Sequence, residues 1–282
     1  RLQPDGHDAG PWHDAAMVVQ GDIAKALSEY AEQHWRDAGG KPVKTVTASA
    51  DCWPKGLEAD FTNCPIAIAR TLPEMDNQEG VNEIENLYLD LIAAAKDFIY
   101  AESQYFASAR IASAIAERLS EESGPEIVIV NPESAEGWLE SEIMDSGRAR
   151  IHEALKRRDK YNRFRIFHPF TAGGTPIYVH AKILIVDDQY LRIGSSNFNN
   201  RSLGFDSECD VAIDASASPG QDVSKQITHT RNDLLSEHLG VDQAEVEAAM
   251  AETRSLIGAV EKLGKKGRRL RPYEAPNVDE VQ

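Results

Sequence analysis

Cysteine is scarce in this chain, with three residues in 282, and that excludes a disulfide-dense scaffold. Cys52 and Cys64 lie in one loop-like stretch and could pair, which leaves Cys209 over. An odd, sparse count fits a reducing, cytoplasmic setting slightly better than export. No paired-Cys or His/Cys spacing is present, and Trp-His-Asp at 12–14 offers too few ligands, so no metal or other cofactor is expected. No run approaches the roughly 18 consecutive apolar residues of a membrane span. The opening residues RLQPDGHDAGPWHD contain no apolar core of a targeting segment. Positive charge is also short: 30 Lys and Arg stand against 46 Asp and Glu, a formal net charge of −16. A polyanion such as DNA meets a repulsive mean field, so nucleic acid is disfavoured as a partner unless a local basic surface exists.

What is present is an ordinary globular composition, 41% hydrophobic and 27% charged. One basic stretch, EKLGKKGRRLRP, gathers Lys262, Lys265, Lys266, Arg268, Arg269 and Arg271. It reads either as a solvated, partly disordered tail or as a patch for anionic lipid headgroups. The four tryptophans read as core residues rather than interfacial anchors, with Trp53, in a loop, the one that could meet lipid. Past residue 75, strand-like and helix-like segments alternate. VNEIENLYLDLIAAAKD (81–97) has apolar residues at helical spacing, FIYAESQYF (98–106) reads as a strand breaking into a loop, and EIVIVNP as a short buried strand. The alternation predicts an α/β layered domain, strands covered by helices. VDQAEVEAAMAETRSLIGAVEKLG reads as one closing amphipathic helix. Residues 12–35 and 207–239 form a weak internal repeat, an acid leading into a short apolar strand and then a helix.

The segment VHAKILIVDDQYLRIGSSN (179–197) is chemically unusual. If it is a strand, residues two apart share a face, so His180 and Lys182 project together. Ile183 to Val186 mark burial on both faces, and a Lys there needs an anionic partner. Asp187 and Asp188 begin a turn, and the returning strand ends in Gly194, Ser195, Ser196 and Asn197. An imidazole, an ammonium and short hydrogen-bonding side chains converging suit a phosphoryl group. Lys182 and Asn197 would stabilise charge on its oxygens, and His180 would act as nucleophile or general acid.

His-x-Lys-x4-Asp followed seven residues later by Gly-Ser-x-Asn resembles the signature of the phospholipase D superfamily. Residues 177–213 are similar to the second such motif of the two-motif enzymes, residues 86–106 to the opening of their second half, and residues 10–21 to the end of their first half. The resemblance implies a phospholipase-D-like layered α/β fold, a mixed sheet flanked by helices: a first-half remnant over 1–75, a second half over 76–240, and a closing helix with basic tail over 241–282. It implies metal-free cleavage of a phosphodiester in two steps through a phosphohistidine, with water or a second alcohol as acceptor. His180 would be the general acid/base, and Lys182, Ser195 and Asn197 would bind phosphate. Glu208, with Asp206 as its rival, would orient His180, and Asp14 would orient the His of the first motif. Asp187 completes the catalytic motif but is expected to hold structure, and Glu102 supports the site. Ser103 stands where many relatives have Asn.

Only one such motif occurs. His7, His13, His34, His152, His168, His229 and His238 lack the spacing and read as surface or core histidines. The expected partners are therefore a phospholipid at a membrane surface and a second polypeptide, or a segment outside this sequence, carrying the other motif. The expected activity is that of a phospholipase D on glycerophospholipids. The alternatives are a phosphatidyltransferase, a nuclease of the same superfamily, or a silent phospholipid-binding half.

Overall fold

A computed structural model describes residues 9–44, 52–75, 79–135, 138–218, 222–265 and 267–275, with the backbone alone for 138–144. His7 and Lys266 lie outside the described residues. The chain runs β1 (Trp12–His13), α1 (Asp22–Asp37), β2 (Ala67–Leu72), β3 (Val81–Asn82), α2 (Glu83–Ala94), β4 (Phe98–Glu102), α3 (Ala109–Ser120), β5 (Glu126–Val130), α4 (Trp138–Arg158) and β6 (Phe164–Phe170). It continues through β7 (Tyr178–Val179), β8 (Ile183–Val186), β9 (Tyr190–Gly194), α5 (Asn200–Gly204), β10 (Glu208–Asp214), α6 (Val223–Leu239), α7 (Gln243–Thr253), α8 (Leu256–Leu263) and β11 (Arg269–Pro272).

Nine strands form one mixed sheet in the order β11-β6-β5-β4-β8-β9-β10-β2-β3. The neighbours β4, β5 and β6 run parallel, joined by the covering helices α3 and α4, while β8, β9 and β10 form an antiparallel meander. The central strands are apolar on both faces, as sheets covered on both sides are. On one face Ile84, Leu91, Ile111, Ile115 and Leu155 pack on Ile99, Ile127 and Leu184. On the other, Ile227, Leu235, Val246 and Val260 pack on Tyr100, Val128 and Ile185. The expected mixed sheet between helices is the observed architecture.

Several local expectations change. His180 and Lys182 do not lie within a strand: residues 180–182 are the extended link between β7 and β8. The cause is a change of partner, since β7 pairs with β1 in a separate two-stranded ribbon while β8 pairs with β4 and β9. The apolar stretch after Asp14 is likewise not a strand. The single closing helix is two helices, α7 and α8, broken at Arg254 in the left-handed region with φ of 51° and restarted by a Ser255 side-chain cap. The basic stretch is not a solvated tail at its end: β11 adds antiparallel to β6, Leu270 is buried, and the Arg271 guanidinium lies 3.8 Å from the Phe170 ring centroid. Cys52 and Cys64 are thiols, not disulfide partners. Trp12 and Trp35 are exposed rather than core.

The hairpin β8–β9 turns through Asp187 and Asp188, both at φ of 52°, closed by the Gln189 N–H donating to the Val186 carbonyl at 2.9 Å. Two consecutive left-handed residues match the right-handed twist of a hairpin, and Asp tolerates that conformation better than bulkier residues. Beyond the turn, Arg192 is 1% exposed and sits in a fully buried network. Its Nε donates to Asp210 Oδ2 at 2.8 Å, Nη1 to the Lys182 carbonyl at 3.1 Å and Nη2 to the Ser196 carbonyl at 3.0 Å. Its plane rests 4.8 Å from the Tyr88 ring centroid. Gly194 is required beside it, because a Cβ there would stand 2.1 Å from Asp210 Oδ1. One buried charge pair thus ties residue 182 to residues 194–196. Removing one partner of such a pair costs about 3–5 kcal/mol by stranding the other charge. Asp210→Ala is expected to lower the unfolding free energy by about that much in urea melts. A loss below about 1 kcal/mol would show that Arg192 reaches water in the folded state.

Candidate active site

The link at residues 180–182 opens onto a cleft of about 650 Å3 lined by Asp14, Gln104, His180, Lys182, Ser195 and Asn197 among others. Six residues from four separate stretches of chain converge, because the ends of β4 and β9 and the β7–β8 link meet where β1 docks.

His180 is fixed from residue 13 and residue 14. Its backbone N–H donates to the His13 carbonyl at 2.8 Å, and its Nδ1 lies 2.9 Å from Asp14 Oδ2, a donor–acceptor spacing that leaves Nε2 for the cleft. Burial works to raise the Asp14 carboxyl, and the hydrogen bonds from His180 and the Ala15 N–H outweigh it, leaving the group below the usual carboxylate range. The Trp12 ring lies beside the imidazole with centroids 5.4 Å apart.

Lys182 is 6% exposed and its Nζ donates to the His180 carbonyl at 2.5 Å. Burial, together with the Arg192 charge and against the attraction of Asp14 and Glu208, lowers its ammonium to about 8. The Asn197 side-chain oxygen accepts from the Gln104 N–H at 3.1 Å and the Ser103 hydroxyl at 3.3 Å, which turns the amide nitrogen toward the cleft side near Gln104 Oε1 at 3.5 Å. Ser103 therefore supports Asn197 through its own hydroxyl, which also accepts from the Phe198 N–H.

Two sequence expectations are corrected here. Glu208 does not contact His180: its carboxylate accepts from the Ser195 hydroxyl, while Asp206 is engaged by Arg201 at 2.8 and 3.0 Å. The acid on His180 is Asp14, the residue assigned to the absent first-motif His. The reason is topological: β1 docks alongside β7, immediately before His180, whereas β10 lies beside β9 and reaches only Ser195. Asp187 stands apart from the cleft and accepts the backbone N–H groups of Lys96, Asp97 and Phe98 at 2.7, 2.9 and 2.8 Å, so it ties the turn to the start of β4.

Glu102 is buried behind the site, accepting from His13 Nε2 at 2.6 Å, the Tyr100 hydroxyl at 2.6 Å and His238 Nε2 at 3.0 Å. Sequence reasoning missed Gln104, Tyr178 and Trp12. Gln104 Nε2 donates to the Tyr178 hydroxyl at 2.7 Å, and the Trp12 ring lies against Tyr178 with centroids 4.7 Å apart, so the cleft-lining Gln104 is braced by Tyr178 and, behind it, Trp12. The signal available was position: each lies within two residues of a residue already singled out.

The family model described as cardiolipin synthase, PLD-like domain, matches residues 88–232. Phospholipase D alpha 1 of Arabidopsis thaliana is 25% identical over an alignment covering 82% of this chain and 40% of that protein. Phospholipase D1 of Saccharomyces cerevisiae is 25% identical over 96% of this chain and 19% of that protein. The chain thus spans about two fifths of the plant relatives' length, and less of the yeast one. Among solved structures, phosphatidylserine synthase from Haemophilus influenzae overlaps 77% of this chain and 47% of its own at 15% identity and a TM-score of 0.45. With the family model covering a little over half of the chain, and spanning the His180 motif, this protein is a member of the phospholipase-D-like family.

Proposed function

We propose that the chain carries half of a phospholipase D active site and cleaves the headgroup phosphodiester of glycerophospholipids once a second His-Lys-Asp motif is supplied. The observation that carries this reading is the convergence of His180, Lys182, Ser195 and Asn197 on one open cleft, with His180 Nδ1 held by Asp14. Lys182, the Ser195 hydroxyl and the Asn197 amide bind the non-bridging phosphoryl oxygens. A His of the other motif attacks phosphorus, and the P–O bond to the headgroup breaks as His180 Nε2 gives that oxygen its proton. Neutral His180 then takes a proton from water, whose oxygen displaces the phosphohistidine and releases phosphatidate. An alcohol in place of water gives headgroup exchange. Asp14 keeps the Nδ1 proton in place and stabilises the imidazolium through both steps.

In this reading residues 1–75 are the close of the first half, residues 76–240 the second half, and residues 241–282 its closing helices and basic segment. The partner is the polypeptide or segment that carries the other motif. It is supported by an apolar groove of about 1340 Å3, lined by Met17, Phe61, Ile66, Ile193, Ile213 and Leu234, which borders the cleft. It is also supported by α1, which buries none of its residues.

In the assembled enzyme, His180→Asn is expected to slow phosphatidate release from phosphatidylcholine vesicles by about 10²–10⁴-fold, with single-stranded DNA turned over poorly or not at all by either form. Unaltered turnover in His180→Asn would overturn the mechanism. Vesicle binding without turnover in either form would make the chain a silent binding half.

A second expectation follows from Lys182. Its ammonium, the form that binds phosphate, is lost as pH rises through about 8. The kcat/KM of the assembled enzyme, which reports free-enzyme groups, should therefore fall above that pH, and Lys182→Arg should lose that alkaline limb. A profile flat to about pH 10 in the native enzyme would remove Lys182 from phosphate binding.

A further inference from the structure

Behind the cleft, four side chains from three elements meet in a fully buried cluster: His13 on β1, Tyr100 and Glu102 on β4, and His238 on α6. The Glu102 carboxylate receives three donors, with His13 Nε2 on Oε2 and both Tyr100 and His238 on Oε1. The second ring nitrogen of His13 lies 3.3 Å from Glu237 Oε1, and that carboxylate also accepts from Arg268 at 2.6 Å. Burial alone would lower the His13 imidazole. The Glu102 charge and hydrogen bond, then those of Glu237, instead push it up to about 10, so it is an imidazolium donating from both nitrogens.

Two ring nitrogens and a carboxylate within 4.8 Å of one another invite comparison with a metal site. The spacing argues otherwise. Ligands of one tetrahedral zinc, each about 2.0–2.1 Å from the ion, stand roughly 3.3 Å apart. The nitrogen–oxygen separations here are 2.6 and 3.0 Å, those of hydrogen bonds.

The cluster's position relative to His180 gives it a purpose. His13 and Asp14 are adjacent in an extended segment, so their side chains point opposite ways: His13 inward to Glu102, Asp14 outward to His180. The segment holds few other register marks, since β1 pairs at only two residues, Trp12 with Tyr178 and His13 with Val179. A slip of one residue would turn Trp12 or the Asp14 carboxylate toward buried Glu102, and an acid beside Glu102 is strongly disfavoured. A buried charge pair discriminates registers in a way that apolar packing of the same volume does not.

We propose that His13, Glu102 and His238 form a positioning cluster that sets the register of residues 12–14 and so holds Asp14 on His180 Nδ1. Its catalytic consequence rests on the function proposed above; its structural consequence does not. None of the three touches substrate. They act through Asp14.

The test is the ring 15N–1H NMR spectrum of the 282-residue chain near neutral pH, with His180 assigned by His180→Asn. The native protein should show His180 as the single Nδ1–H tautomer, and Asp14→Asn should release it into a mixture of tautomers. His13→Leu should reproduce the Asp14→Asn spectrum although residue 14 is unchanged, and His13→Gln, which retains a donor for Glu102, should restore the native tautomer in part. If His13→Leu fails to fold, Glu102→Gln is read in its place with the same expectation. His180 keeping its Nδ1–H tautomer in a folded His13→Leu or Glu102→Gln protein overturns the proposal. In the assembled enzyme the same variants should lower kcat about 10–100-fold at unchanged KM, a part of the roughly 10²–10⁴-fold that a well-placed general acid–base contributes. No turnover in any form, native included, would count against the catalytic reading alone, because the tautomer comparison does not depend on it.

Discussion

The parallel pairing of Trp12–His13 with Tyr178–Val179 brings together parts of the chain 166 residues apart, and the chemistry of the cleft hangs on it. Through it the His13 carbonyl takes the His180 N–H, Asp14 reaches Nδ1, and Trp12 closes over the imidazole and Tyr178. A two-residue ribbon has little intrinsic stability. What secures it lies on the inner side, where a charged His13 is matched to Glu102 at the end of β4, the strand next to β8 at the middle of the sheet. The energetic logic is that of a buried ion pair: modest as net stabilisation, severe as a penalty on any arrangement that separates the charges.

A second buried pair works on the opposite wall. Arg192 and Asp210 hold the Lys182 carbonyl and the backbone of residues 194–196 in one network, which fixes the backbone that carries Lys182 relative to the Ser195–Asn197 loop. Desolvation of Lys182 is a consequence of that packing. It makes the ammonium less stable alone in the cleft and therefore a stronger partner for an incoming anion. The net charge of −16 is compatible with such a site because the cationic groups are local, and the mean field matters little at contact distance.

How much of this was legible in the sequence depended on the range of the interaction. The alternation of strands and covering helices followed from local periodicity, the mixed sheet from the family resemblance, and the phosphate-suited set from the spacing of His180, Lys182, Ser195 and Asn197, which one hairpin and its flanks bring together. The turn role of Asp187 was also readable, because consecutive acids at a hairpin tip are turn chemistry. The acid on His180 was not. Choosing Asp14 over Glu208 requires knowing that β1 pairs with β7, a contact no local pattern encodes. The same holds for His13 and His238, which read as unremarkable histidines until Glu102 is placed between them. The closing helix was misread as continuous because Thr253, Arg254 and Ser255 interrupt no apolar period; the break lies in backbone conformation at Arg254 and the Ser255 cap. The basic segment looked like a tail because Leu270, its one buried residue among those described, is hidden among arginines.

Binding of a phosphoryl group in the cleft through Lys182 can be measured on the chain as it stands, without a second motif. Inorganic phosphate titrated into the protein and followed by calorimetry and by the His180 ring resonances should bind saturably at one site and perturb His180. Lys182→Met should weaken that binding by about tenfold or more, the effect of losing a charge-assisted hydrogen bond. Binding that is unchanged in Lys182→Met, or that leaves His180 unperturbed, would contradict the assignment of this cleft to phosphodiester chemistry.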